Sequence, residues 1–305
     1  MAELLNLWEK PAGEEIYMIA GWRQWADAGA ISSGLTQYLI QRTEARKIGE
    51  IKPDDLYLFQ IPGAAGLRPE IKLEEGYRQE LRNRKNDLYY ASIDRKGLVI
   101  FLGDEPNMNI DKYADAFFAA VRELHVNRVA VVGGVYASTP YDKDRNVSCT
   151  YSLKRMKEEL AKYAVRFSNY EGSVSIGSYL VDRAEREKVE YFSFYGFVPA
   201  YEFSQAGIPI QGLRIENDYR SWYEIMRRFN YMFDLGFDLS ELARQSDDLT
   251  ASMDEKVEEL KKKVPQLRLN EYLDRLTREY EELSFMPLDD VWERELSDIF
   301  RELDE

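Results

Sequence analysis

The chain has 305 residues, 45% hydrophobic and 13% aromatic, enough to bury a sizeable core in one large domain or two ordinary ones. Its formal net charge of −14 argues against non-specific nucleic-acid binding and against attraction to anionic membranes. The N-terminus MAELLNLWEKP has no basic n-region, no apolar run of about 18 residues follows, and Cys149 is alone, so no internal disulfide forms. These features together predict a cytoplasmic protein, and the 21 Tyr suit pocket walls and subunit contacts.

Residues 14–39, EEIYMIAGWRQWADAGAISSGLTQYL, organise the rest. Ile16-Tyr17-Met18-Ile19-Ala20 reads as a strand, Gly21 and a Trp-rich loop follow, and Asp27 caps a helix with Ile31, Leu35, Tyr38 and Leu39 on one face. That is the first half of a βαβ unit, with its loop at the strand end where ligands bind in open α/β sheets. Residues 45–51 read as a short strand and 55–61 as a better one, stopped by Pro62-Gly63. Residues 63–86 are polar and read as a surface excursion with some helix. Residues 88–93 and 98–102 form a hairpin, which makes the sheet mixed. A helix then opens at Asn109 or Ile110 and carries Tyr113, Phe117, Phe118, Val121 and Leu124 inward.

Residues 128–134, RVAVVGG, are the clearest buried strand, predicted near the sheet centre. A long connection over 135–150, a helix at 152–163, a short strand at 165–167, a loop at 169–173, a helix at 176–187 and a strand at 190–198 follow. In 191–195 alternation puts Tyr191, Ser193 and Tyr195 on one face and Phe192 and Phe194 on the other. This alternation of elements predicts a three-layer α/β sandwich with a mixed, mainly parallel sheet. Composition shifts near Ser221. Trp222, Ile225, Met226, Phe229 and Phe233 make a helical stripe, and Asp238-Leu239-Ser240-Glu241 reads as a capping box. A charged amphipathic stretch broken at Pro265 comes next, and the last twenty residues read as an acidic tail or docking helix. The predicted division is a core at 1–220 and a small C-terminal helical extension at 221–305.

Several chemistries are excluded. Gly29 to Gly34 has phosphate-loop spacing, but Leu35 stands where the lysine belongs. No GxGxxG follows a strand, and no GxSxG nucleophile elbow exists. His125 is the only histidine, so a multi-histidine metal site cannot form. Asp142-Lys143-Asp144-Arg145-Asn146 begins like a calcium loop, yet Val147 and Leu153 stand where glycine and glutamate are needed. No metal and no cofactor are expected.

What remains is a set of glycine loops at strand ends. If the strands are parallel, Gly21, Asp27, Gly29, Glu105, Gly133, Gly134, Thr139, Arg145, Glu171, Gly172, Ser173 and Tyr201 border one cleft. Arg145 would hold an anionic group there and Glu171 a ribose or amine hydrogen bond. The alternative is structural: Asp27 caps its helix, Arg145 pairs with a loop carboxylate, and the glycines make turns.

The same loops resemble those of the proteasome assembly chaperone 2 superfamily, in its prokaryotic branch. The resemblance rests on Gly21-Trp22 with Asp27-Ala28-Gly29, on Gly103-Asp104-Glu105-Pro106, and on Val132-Gly133-Gly134 with Thr139-Pro140 and Arg145. Glu171-Gly172 with Gly177 and Leu180, Val198-Pro199-Ala200-Tyr201, and the C-terminal Leu239, Met253, Val257 and Leu260 continue it. Tyr141-Asp142-Lys143-Asp144 departs from the pattern, with two acids where the loop is otherwise shorter and more basic.

The resemblance implies a phosphorylase- or hydrolase-like α/β core and an assembly-chaperone-like or protein-interaction role, with proteasome-like or other subunits as partners. An enzyme or ligand sensor binding a small nucleoside-like molecule in the strand-end cleft is the alternative, resting on fold analogy alone. No nucleophile motif favours catalysis. A homo-oligomer is expected, a trimer by analogy with phosphorylase-like folds. Its ground is the stripe Leu239, Leu242, Leu249, Met253, Val257 and Leu260, which the chain has few core positions left to cover.

Overall fold

Apolar runs at strand and helix spacing set the elements in this computed structural model, which describes residues 4–59, 68–201, 204–205, 208–209 and 213–285. Strands β1 (Leu5–Leu7) and β2 (Glu15–Arg23) open the chain, and helix α1 (Ser33–Arg42) and strand β3 (Arg46–Ile51) follow. Strands β4 (Glu70–Glu74) and β5 (Tyr77–Arg82) form a hairpin, as do β6 (Asn86–Ile93) and β7 (Lys96–Asp104). Helix α2 (Ile110–Glu123), strand β8 (Arg128–Ala137) and strand β9 (Val147–Tyr151) lead to a single-turn α3 (Lys157–Leu160) and strand β10 (Arg166–Phe167). Helix α4 (Ile176–Glu187) and strand β11 (Glu190–Tyr201) complete the alternation. Short strands β12 (Ser204–Gln205), β13 (Ile208–Pro209) and β14 (Leu213–Arg214) precede helices α5 (Tyr219–Phe233), α6 (Ser240–Lys263) and α7 (Leu269–Glu279).

Ten strands form one mixed sheet in the order β1-β3-β6-β7-β2-β8-β11-β9-β10, with β14 on β11. The four central strands β7, β2, β8 and β11 are mutually parallel, so β8 lies at the centre as expected. Buried on both faces, β8 divides its side chains between two cores. Val129 and Val131 join Met18, Phe101 and Phe117 under α2 and α4. Ala130 and Val132 join Ile19, Ile100 and Phe194 under α1 and α5. β11 does the same, with Tyr191 in the first core and Phe192 and Phe194 in the second.

The C-terminal helices are part of this second core, and α5 straddles the boundary drawn at residue 220. Phe229 stacks on Phe194 with ring centroids 5.5 Å apart, and Phe233 stacks on Tyr17 at 4.4 Å. Leu242, Met253 and Val257 are buried in the same cluster, with Leu239, Leu249 and Leu260 packed against it. The stripe on α6 is therefore covered within the chain, and the ground on which a second copy was expected there disappears.

Five local expectations need correction. Residues 55–59 form a turn, not a strand: Asp55 takes φ +60°, and the Leu56 carbonyl accepts the amides of Asn107 and Met108. Gln60, Ile61, Pro62 and Gly63 lie outside the described residues. The 63–86 excursion contains the β4–β5 hairpin in place of helix. Glu75 and Gly76 both take positive φ, +49° and +81°, the geometry of a hairpin turn that matches strand twist.

The connection 135–150 carries β9, which pairs antiparallel with β11. The helix expected at 152–163 is broken into 3-10 turns around α3 and ends at Ala164 in the left-handed region. At 238–241 no capping box forms as drawn; Asp238 Oδ1 accepts the Ser240 amide at 2.9 Å while Leu239 occupies the cap position. The last twenty residues lie outside the described part. No described helix is long and apolar enough to cross a membrane.

Candidate functional site

The carboxyl ends of β2, β8 and β11 bring most of the expected residues together, but around each other. An isolated bridge joins Asp27 to Gly134, whose amide donates to the Ala26 carbonyl at 2.8 Å. The glycines here permit close approach of the protein's own backbone. A Cβ on Gly21 would stand 1.9 Å from the Ser32 carbonyl oxygen, and one on Gly134 would stand 2.1 Å from that of Ala28. On Gly133 it would meet the Tyr195 ring at 2.4 Å.

Most of the polar residues that meet here are engaged structurally. Asp27 Oδ1 accepts the Ser33 amide at 2.8 Å and Oδ2 its hydroxyl at 2.6 Å, so it does hold the start of α1. Burial raises its carboxyl pKa, opposed by those two bonds. Glu105 Oε1 accepts the Ile176 amide at the first turn of α4 at 2.6 Å, and burial raises this carboxyl too. The Tyr195 hydroxyl bonds Ser175 at 2.9 Å and Ser178 at 3.1 Å.

Arg145 is buried and donates through Nε to Asp218 Oδ2 at 3.0 Å, and through Nη1 to the carbonyls of Pro140, Tyr141 and Lys143. Asp218 also caps α5, and its amide donates to the Gly29 carbonyl. The buried Tyr201 hydroxyl donates to the Thr139 carbonyl at 2.8 Å. Glu171, Gly172 and Ser173 are exposed, and the one contact there is local, from the Tyr170 hydroxyl to the Ser173 carbonyl. Between Trp22, Ser32, Val131, Ser175 and Tyr195 the free space is about 10 Å³, room for one water at most. Among the described residues no group of three or more His, Cys, Asp or Glu is placed to hold a metal ion.

Two features beside this edge were not singled out from the sequence. The first is a hollow of about 380 Å³ at the ends of β2 and β7, lined by Arg23, Arg84, Lys85 and Asp104 and by Arg68, Glu70, Glu80 and Arg82 of the hairpin segment. Asp104 sits at its base with a side chain 7% exposed. Its Oδ1 meets Arg84 Nη1 at 3.2 Å, its Oδ2 accepts the Lys85 amide at 2.7 Å, and Arg23 Nη1 lies at 3.9 Å. The basic run Arg82-Asn83-Arg84-Lys85 in so acidic a chain was the available signal.

The second is the β4–β5 hairpin itself, every residue of which is exposed. The pairing Ile71↔Leu81 and the period of two place Ile71, Leu73 and Leu81 on one face, and Glu70, Lys72, Glu80 and Arg82 on the other. The apolar side chains are 44–56% exposed. Alternation over 70–74, EIKLE, was the missed signal.

A family model described as the PAC2 family matches residues 22–257. Among solved structures, the chain is similar to a proteasome-assembly chaperone homologue of Mycobacterium tuberculosis, with 21% identity and a TM-score of 0.67 over 78% of this chain and 94% of that one. It is similar to a PAC2 family protein of Streptomyces avermitilis at 21% identity and TM-score 0.66, covering 79% and 95%. It is also similar to PbaB of Pyrococcus furiosus, described as an archaeal proteasome activator, at 18% identity and TM-score 0.57, covering 83% and 98%. At these identities the likeness is one of fold. No curated protein matches the chain significantly in sequence.

Proposed function

Because this chain belongs to the PAC2 family, we propose that it works by binding other proteins, as an assembly-chaperone-like factor for proteasome-type or comparable subunits. The observation that carries this reading is the exposed β4–β5 hairpin with Ile71, Leu73 and Leu81 on one face. A two-stranded hairpin alone is marginal in water, and apolar side chains gathered on such an element suit a partner's surface. The similarity to a proteasome-assembly chaperone homologue and to an archaeal proteasome activator supports proteasome-type subunits as the class of partner. The nucleoside-pocket alternative requires space at the strand ends that Tyr195, Ser32 and the Arg145–Asp218 pair now occupy. A homo-oligomer, a trimer by fold analogy, and a cytoplasmic location go with the proposal.

The test is binding of the full chain to purified proteasome-type subunits of the source organism, compared with an Ile71→Asp/Leu73→Asp/Leu81→Asp variant. The expected result is saturable binding that weakens by roughly tenfold or more in the variant, with an unchanged thermal midpoint. Absence of binding by the unaltered chain, or equal binding by both, overturns the reading. Light scattering on the same samples decides the oligomer, which a monomeric mass at micromolar concentration removes.

A further inference from the structure

The hollow beside the hairpin has a charge that the rest of the molecule does not explain. Its lining holds five cations, Arg23, Arg68, Arg82, Arg84 and Lys85, against three carboxylates, Glu70, Glu80 and Asp104. The residue is two positive charges, on a chain whose formal net charge is −14. Ordinary ion pairing uses only part of the set. Asp104 engages Arg84 and Arg23, while Glu70 and Glu80 both reach Arg82, at 3.9 and 3.0 Å. Arg68 and the Lys85 ammonium have no ion-pair partner among the described residues.

We propose that this hollow binds a small multivalent oxyanion, one presenting phosphoryl or carboxylate groups to Arg23, Arg68, Arg82 and Lys85. Its volume of about 380 Å³ falls within the usual range for small-ligand sites, roughly 300–1,000 Å³. Guanidinium groups offer five N–H donors in a planar fork that fits phosphate and carboxylate oxygens in pairs. Asp104 meets Arg84 at 3.2 Å and the Gln24 side-chain oxygen accepts from the same guanidinium, which fixes Arg84 in the wall of the hollow. A recess lined with one excess sign also concentrates counter-ions more than the same charges on a flat surface.

The walls come from two parts of the chain. Arg23 and Asp104 sit at the ends of β2 and β7, whereas Glu70, Glu80 and Arg82 lie on the hairpin. An anion bridging them ties the hairpin to the body, so binding also protects the hairpin backbone. The inference rests on the geometry of the hollow and stands whether or not the hairpin docks a protein subunit.

Calorimetric titration of the full chain at low salt with pyrophosphate, citrate and sulfate tests it. The expected result is saturable one-to-one binding of pyrophosphate or citrate, with sulfate weaker. Preference for pyrophosphate assigns a phosphoryl ligand and preference for citrate a carboxylate one, and either supports the site. Arg23→Gln and the double variant Arg68→Gln/Arg82→Gln should each weaken binding by about tenfold or more. Arg23 and Arg82 are 42% and 65% exposed, so these variants keep the thermal midpoint. Hydrogen exchange should slow at the amides of residues 70–82 on ligand addition. Absence of saturable binding by all three anions, or binding unchanged in both variants, overturns the proposal.

Discussion

Arg145 and Asp218, 73 residues apart in sequence, meet at 3.0 Å with side chains 1% and 0% exposed. The pair joins the β8–β9 connection to the first turn of α5, and so locks the helical layer onto the strand ends. Removing one member leaves the other charged and buried without its counter-ion, which costs about 3–5 kcal/mol. Asp218→Ala also removes the cap on α5. We expect its unfolding free energy from urea titration to fall by at least that amount with the m-value unchanged, and a loss below about 1 kcal/mol would show that water reaches Arg145.

Gly21 and Gly76 separate close approach from conformational need. At Gly21 an added Cβ meets backbone atoms of Ser32, whereas at Gly76 nothing lies within 4 Å and only φ +81° opposes a side chain. Gly21→Ala is expected to cost more than about 3 kcal/mol, beyond ordinary overpacking, because a carbonyl must move. Gly76→Ala should cost only about 1–2 kcal/mol, the price of the left-handed region, and largely within the hairpin. Thermal midpoints of the two variants check the ranking.

Cys149 lies on β9 in the second core, 1% exposed, and burial pushes its thiol up to about 12. The thiolate is the reactive form. We therefore expect no modification of the native protein by a thiol reagent at pH 8 over minutes, and complete modification in denaturant. Rapid labelling of the native chain would place β9 in a readily opening part of the sheet.

Glu105 gives a pH dependence. Burial raises its carboxyl pKa in the fold, partly offset by the bond from the Ile176 amide. The unfolded chain therefore releases this proton first as pH rises. Stability from this group is greatest below the ordinary glutamate range, about 4.3, and declines as pH rises through the folded pKa. The stability difference between the unaltered chain and Glu105→Gln should shift in favour of the variant between about pH 4 and pH 7. A difference independent of pH would mean that the carboxyl titrates alike in both states.

The sheet was legible because its central strands are apolar on both faces: the run at 128–134 can hardly sit elsewhere than the middle, and β8 does. The helix at 176–187 was also readable to the residue, since Ser175 caps it and Lys188 takes the left-handed conformation that ends it. The strand-end residues were legible as a group, and Asp27 and Arg145 take the structural roles open to them. What the sequence could not carry is which groups fill the edge. Asp218 and Tyr195 reach it from elements distant in sequence, and only the fold puts them against Arg145 and Gly133. The hairpin at 70–82 was hidden because its side chains are mostly charged, so its alternation is faint. The hollow depends on that hairpin and could not be drawn without it.

The lateness of α5 has a consequence during synthesis. Phe192 and Phe194 belong to β11, which ends at Tyr201, but the rings that cover them, Phe229 and Phe233, come from the end of α5. At about 5–20 residues per second, the intervening stretch takes roughly 2–6 s to make. For that interval the nascent sheet presents an aromatic face to the surrounding solution, adjacent to strands already able to pair. A chain that stalls on the ribosome before α5 emerges is thus a stickier object than the finished protein, and slow codons within 202–233 would lengthen its exposure to holding factors.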